Sequence, residues 1–243
     1  MHITGHRDQS LSKGREMKQI LRRNQSKKAE AGFSLLEALI VIAVLAIVAA
    51  MAIPSWQRMQ KNARLNGDAH NVGEALSVAK MRAGAAFTYS RVFLFTGTDK
   101  TQYFRIDTWS PTANSGNGCW VADGITNPGT TNAYCITTSA LTGYESNLST
   151  GVSAGFGSIS TIPSSFVTTV AQAAGCWGGG TTALNGSQIA NTACIVFNSR
   201  GFPSASGGFY LTDGTRVYAI VTNTMGLMHS YVTPASSASW SLY

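Results

Sequence analysis

One stretch of this 243-residue chain limits what the rest can be. Residues 33–53 read FSLLEALIVIAVLAIVAAMAI, an apolar run with a single charged side chain, Glu37. As a helix rising about 1.5 Å per residue it spans about 31 Å, the thickness of a bilayer's hydrocarbon core. Arg22, Arg23, Lys27 and Lys28 precede it, and a basic flank of this kind stays in the cytoplasm and sends the chain after Pro54 outward. A secretory signal has the same outline, with its cleavage site after the apolar stretch, and Ala-x-Ala options exist near Ala50 and Ala52. Glu37 argues against that reading. A carboxylate in the membrane costs about 2.5–3.5 kcal/mol near the centre and less near an edge, so it needs a cationic partner. A cut after Gly32 would create one, the new α-amino group of Phe33. In a helical stack, Glu37 of one subunit could then neutralise the amino terminus of its neighbour.

Gly32-Phe33-Ser34-Leu35-Leu36-Glu37 resembles the processing motif of type IV prepilins: Gly before the cut, Phe after it, Glu at the fifth mature position. The apolar run continues to Pro54, where pilin-like helices commonly carry a proline. The resemblance implies that a prepilin peptidase cuts between Gly32 and Phe33 and N-methylates Phe33. It also implies that Glu37 and Phe33 serve in subunit docking, with other pilins or pseudopilins as partners in a helical filament. The expected location is the bacterial inner membrane, crossed once with the N-terminus cytoplasmic and the C-terminal domain periplasmic, and then the filament. Residues 1–32 make a long leader for this class, and Met17 offers an internal start that leaves MKQILRRNQSKKAEAG.

The net charge of +7 belongs mostly to that leader. Residues 1–32 hold eight basic and three acidic residues, 8 − 3 = +5, and the remainder holds 10 − 8 = +2. The basic balance is therefore poor evidence for nucleic-acid binding by a processed chain. Charged residues make up only 12% of the sequence, with Gly, Ser, Thr and Asn filling the gap after residue 110, as in an exported, loop-rich β domain. Cys119, Cys135, Cys176 and Cys194 form no CxxC, the close pairing that zinc sites favour. Disulfides in an oxidising compartment fit better. Three pairings are possible. Short local loops favour Cys119–Cys135 and Cys176–Cys194, each worth about 3 kcal/mol in the chain-entropy model. Four buried free thiols are the alternative.

Beyond Pro54 the pattern stays helical. Trp56, Met59, Ala63, Ala69, Val72, Leu76 and Ala79 fall near one stripe at the 3.6 period, which predicts a single helix from about Phe33 to about Ala85, kinked at Pro54. His70 reads as a surface or packing residue, since no other His or Cys shares its face. Strands are predicted at Arg91–Phe95, Gln102–Trp109 and Cys194–Asn198. A hairpin is predicted in FYLT-DG-TRVYAIV around a two-residue Asp213-Gly214 turn, with a further strand near Leu227–Tyr231. The expected fold is α+β, a long N-terminal helix packed on an antiparallel sheet. Its parts are a leader (1–32), a transmembrane or filament-core half-helix (33–54), a periplasmic half-helix (55–86) and a β-rich pilin domain (87–243) with a Gly/Ser/Thr-rich lobe at 110–192. Ile195–Pro203, the hairpin and Gly226, together with residues 79–95, resemble the GspH/FimT family, pseudopilin H of type II secretion and the FimT-type minor pilins.

Other chemistries find little support. Gly151-Val152-Ser153-Ala154-Gly155 matches the GxSxG nucleophile elbow, but nothing around it reads as the strand–turn–helix that gives the motif meaning. No spaced Asp/Glu cluster resembles a calcium loop. No enzyme activity, metal or cofactor is expected. FimT-type pilins bind DNA through a Gly-Arg-x-Arg stretch, and here the matching position is Gly226-Leu227-Met228-His229, with both arginines missing and no Lys or Arg after Arg216. Arg58, Lys61 and Arg64 lie at helical spacing and offer the one other candidate basic face. The expected function is that of a minor pilin or pseudopilin, a structural subunit helping to initiate or cap a type II secretion pseudopilus or a type IV pilus. A DNA-binding pilin for DNA uptake is the alternative.

Overall fold

The computed structural model describes residues 34–125, 132–237 and 239–243. The chain divides into two compact units, Met1–Pro54 and Ser55–Tyr243. What is described of the first is the opening of helix α1, which runs Leu35–Ala86 and carries Pro54 inside it.

In the second unit α1 buries Leu65, Ala69, Val72, Leu76, Ala79 and Ala83, alternating steps of four and three that keep one face turned inward. This stripe begins later than the sequence pattern suggests. Trp56 and Met59 remain 59% and 58% exposed, and Ala63 is exposed too, because nothing in the unit packs on these first turns.

Among the described residues twelve strands follow. One five-stranded antiparallel sheet is ordered β3-β2-β1-β8, with β4 added beside β2. Its strands are β1 (Ser90–Thr96), β2 (Gln102–Ser110), β3 (Cys119–Ala122), β4 (Ser146–Asn147) and β8 (Thr192–Phe197). The second, ordered β12-β11-β10-β9-β5, holds β5 (Ser153–Ala154), β9 (Gly207–Thr212), β10 (Arg216–Thr222), β11 (Met228–Pro234) and β12 (Ser241–Leu242). A small ribbon pairs β6 (Trp177–Gly179) with β7 (Gly186–Gln188). The arrangement is the expected α+β class, with two antiparallel sheets instead of one. The β9–β10 turn is also wider than predicted. Thr212 pairs with Val217, leaving four residues between them, and Asp213 Oδ1 closes the loop by accepting from the Thr215 and Arg216 N–H groups.

Strand residues alternate between two interiors, as the period of two requires. Val92, Leu94, Ile195, Phe197, Phe209, Leu211 and Ile220 join the α1 stripe in the main core. Their neighbours Phe93, Phe95 and Cys194 face away, into a second core with Trp109, Trp120, Ile136, Cys176 and Ile189. Tyr210, Val217, Ala219 and Val221 point away on the second sheet and are covered by Ile159, Phe166, Val167 and Trp240. The 110–192 lobe thus adds β3, β4 and β5 to the edges of the two sheets and supplies most of the layer over their outer faces, which is why β1 and β10 are buried on both faces. Disulfides Cys119–Cys135 and Cys176–Cys194 tie this layer to β3 and β8. Gly118, at φ +76°, precedes β3 where a Cβ would sit 2.6 Å from the Trp109 ring, so only glycine fits.

The outward face of the first sheet also buries an ionic network that sequence patterning does not reveal. Asp107 accepts from Arg91 Nε at 2.8 Å and from Arg105 Nε at 2.9 Å, and Arg105 reaches Glu145 at 2.7 Å. The Arg91 guanidinium lies over the Trp120 and Phe93 rings and that of Arg105 over Phe93 and Phe95, so cations and rings alternate across three strands. Burial lowers the Arg91 pKa to about 10 against the opposing pull of Asp107. For Glu145, burial pushes the carboxyl pKa up, but hydrogen bonds from Thr142 and Arg105 outweigh it and bring the value down to about 2. Arg91 also donates to the Trp177 carbonyl, and Arg105 to that of Ala140, so the same two arginines fasten the covering layer.

Candidate functional site

Glu37 occupies the first turn of α1, where a carboxylate is favoured by the free N–H groups of the helix start. It is exposed, and among the described residues it forms no ion pair. Gly32 and Phe33, the expected cleavage site and methylated terminus, lie outside the described residues. Around and beyond Glu37 the helix presents large apolar side chains on every side. Leu35 is 83% exposed, and Leu36, Ile40, Ile42, Leu45, Ile47 and Met51 are all more than half exposed. This helix is long and apolar enough to cross a membrane, and no residue of its most apolar window is buried within the chain. An apolar surface of this extent on a single element marks a contact with lipid or with other chains.

The other candidates are dispersed. Ser153 of the GxSxG match sits on β5, an edge strand paired antiparallel to β9, and its hydroxyl donates to the Thr212 carbonyl. The only helix among the described residues is α1, so the elbow's strand–turn–helix is missing there. A cavity of about 510 Å³ beside β1 and β8 is lined by Gln102, Gln172, Gln188 and Asn191, with no Asp, Glu, His, Lys or Arg in its wall. Among the described residues no cluster of three His, Cys, Asp or Glu could hold a metal ion. His70 is engaged by the chain's last residue, its Nε2 lying 2.9 Å from the Tyr243 hydroxyl, which in turn donates to Asn66. Gly226 adopts φ +79° in the turn before β11, and His229 on that strand packs against Phe166 and Tyr231. Arg58, Lys61 and Arg64 are all exposed on α1. Sequence reasoning missed Asp68, buried on α1, whose carboxylate accepts from the Ser149 N–H and hydroxyl. An acid among apolar stripe positions was its one visible signal.

The site that stands out is therefore the amino-terminal helix with its lone carboxylate. Residues 27–53 match the family described as the prokaryotic N-terminal methylation motif. The matched segment includes Gly32, Phe33 and Glu37 and ends with the apolar run. No curated protein and no solved structure matches the chain. The chain thus carries the N-terminal methylation motif of prokaryotic type IV pilin-like proteins. That motif points to a pilin or pseudopilin role, to processing by prepilin peptidase and to assembly with other pilins.

Proposed function

We propose that this chain is a minor pilin or pseudopilin of the GspH/FimT type, a structural subunit that helps initiate or cap a type II secretion pseudopilus or a type IV pilus. The prepilin peptidase cuts between Gly32 and Phe33 and methylates the new amino group. The processed chain waits in the inner membrane with its β domain in the periplasm. The orientation follows from charge: seven Lys and Arg lie within the twenty residues before Phe33, and three in the equal stretch after Ile53. The subunit then moves from lipid into the filament, where the exposed apolar half of α1 packs among other chains. The observation that carries this reading is Glu37, an exposed acid on an apolar helix within the methylation motif. In hydrocarbon it lacks a counter-charge until the methylated amino group of a neighbouring subunit supplies one. The GspH/FimT assignment draws on the segments that resemble that family, which fall on β8, the Phe197–Pro203 bridge and the β9–β10 hairpin. Intact-mass analysis of the membrane fraction tests the proposal. It should find a chain beginning at methyl-Phe33, and a mature chain beginning near residue 53 would replace it with simple secretion.

A further inference from the structure

We propose that Trp56, Arg58, Lys61 and Arg64 form a collar that binds anionic phospholipid headgroups at the outer face of the membrane before assembly. The inference rests on the reading of residues 33–53 as the membrane-spanning segment. Trp56 comes three residues after the apolar run, and the three cations follow within the next eight. An indole so placed belongs to the interface, where its apolar body and N–H are both satisfied. Arg58 to Arg64 covers about 9 Å of helix, somewhat more than the roughly 5–8 Å depth of one leaflet's polar region. Side chains on a helix lean toward its N-terminus, which here is the membrane side, and long basic side chains extend that reach.

The collar is uncompensated. From Ala38 to Gly67 the sequence holds no Asp or Glu, and the next acid, Asp68, is buried and bonded to Ser149. Among the described residues none of the three cations forms an ion pair, and Arg64 donates one long bond, 3.4 Å, to the Thr150 carbonyl. No residue from Ser55 to Arg64 is buried, so the domain does not cover this stretch. Phosphodiesters supply the missing charge, at about fivefold in binding per cation near the surface. Duplex DNA offers the same charge, but it has no place for an interfacial Trp, and three phosphate contacts are few for a duplex.

The test uses the processed chain from Phe33 onward and its R58Q/K61Q/R64Q variant, each reconstituted with equal amounts of phosphatidylglycerol and phosphatidylcholine. Without the leader, its eight cations add nothing to the enrichment. Native mass spectrometry should show phosphatidylglycerol enriched over phosphatidylcholine on the unaltered chain. That enrichment should fall at least tenfold in the triple variant and by a smaller factor in W56A. Equal enrichment on both chains, with both retained in alkaline carbonate-washed membranes, overturns the collar alone. Release of the unaltered chain by carbonate removes the membrane-spanning reading and the collar with it. A triple variant that loses duplex DNA in a mobility shift while keeping its lipid preference would reassign the patch to nucleic acid.

Discussion

The two halves of α1 face different demands. From Leu35 to Ile53 twelve large aliphatic side chains stand exposed, and from Leu65 to Ala83 a stripe of smaller ones is buried in the main core. At about 1.5–3 kcal/mol per buried aliphatic side chain, the first half leaves on the order of 20 kcal/mol of burial to be found outside the chain. On the proposed function, such a half-helix is completed by its partners, lipid first and then other subunits. The second half is instead a structural element of its own domain. A substitution in one half should therefore be read out in assembly and in the other as stability.

The sharpest way to break this division is Glu37→Ala. The variant should insert and be cleaved normally, yet its incorporation into filaments should fall by at least tenfold, with the thermal midpoint of the β domain unchanged. Normal incorporation would remove the docking role. Within the domain, the largest loss should come from Asp107→Ala, which strands two buried arginines. It should cost about 3–5 kcal/mol in denaturant unfolding and leave membrane insertion intact. Replacing Cys176 and Cys194 together by Ala should cost about 3 kcal/mol. Peptide mapping without reductant should recover both predicted cystine pairs, and four alkylatable thiols would contradict it. Glu145 contributes a pH signature. Its pKa is depressed to about 2 from an ordinary 4.5, so its stabilisation is full above about pH 4.5 and is lost as pH falls toward 2. Glu145→Gln should flatten that limb of a melting-temperature series. The smallest effect separates the two halves of the helix directly. Met59→Ala, exposed, should change domain stability by less than about 0.5 kcal/mol, whereas Leu76→Ala in the stripe should cost about 2–5 kcal/mol.

Much of the candidate site could be read from the sequence because its signal is local. An uninterrupted apolar run, one acid and a basic flank state the membrane problem without any tertiary contact, and the methylation motif falls on those same residues. Strands β1, β2, β8, β9 and β10 were legible as β-branched and aromatic runs. The start of the buried stripe was not. Trp56 and Met59 carry the right period, but only the reach of the sheets along α1 decides that burial begins at Leu65.

What the sequence by itself determined is the long helix, its lone carboxylate, the α+β class and a cysteine spacing that favoured two short disulfide loops. Tertiary structure alone decided that the strands form two sheets, that the Gly/Ser/Thr-rich lobe covers their outer faces, and that Arg91, Arg105, Asp107 and Glu145 meet in the interior. The physical reason is range. A hydrocarbon-length run acts through its own residues, whereas the lobe's strands are two to four residues long and too short for periodicity to register. The pairing of Arg105 with Glu145 joins side chains forty positions apart, which only the folded chain brings together.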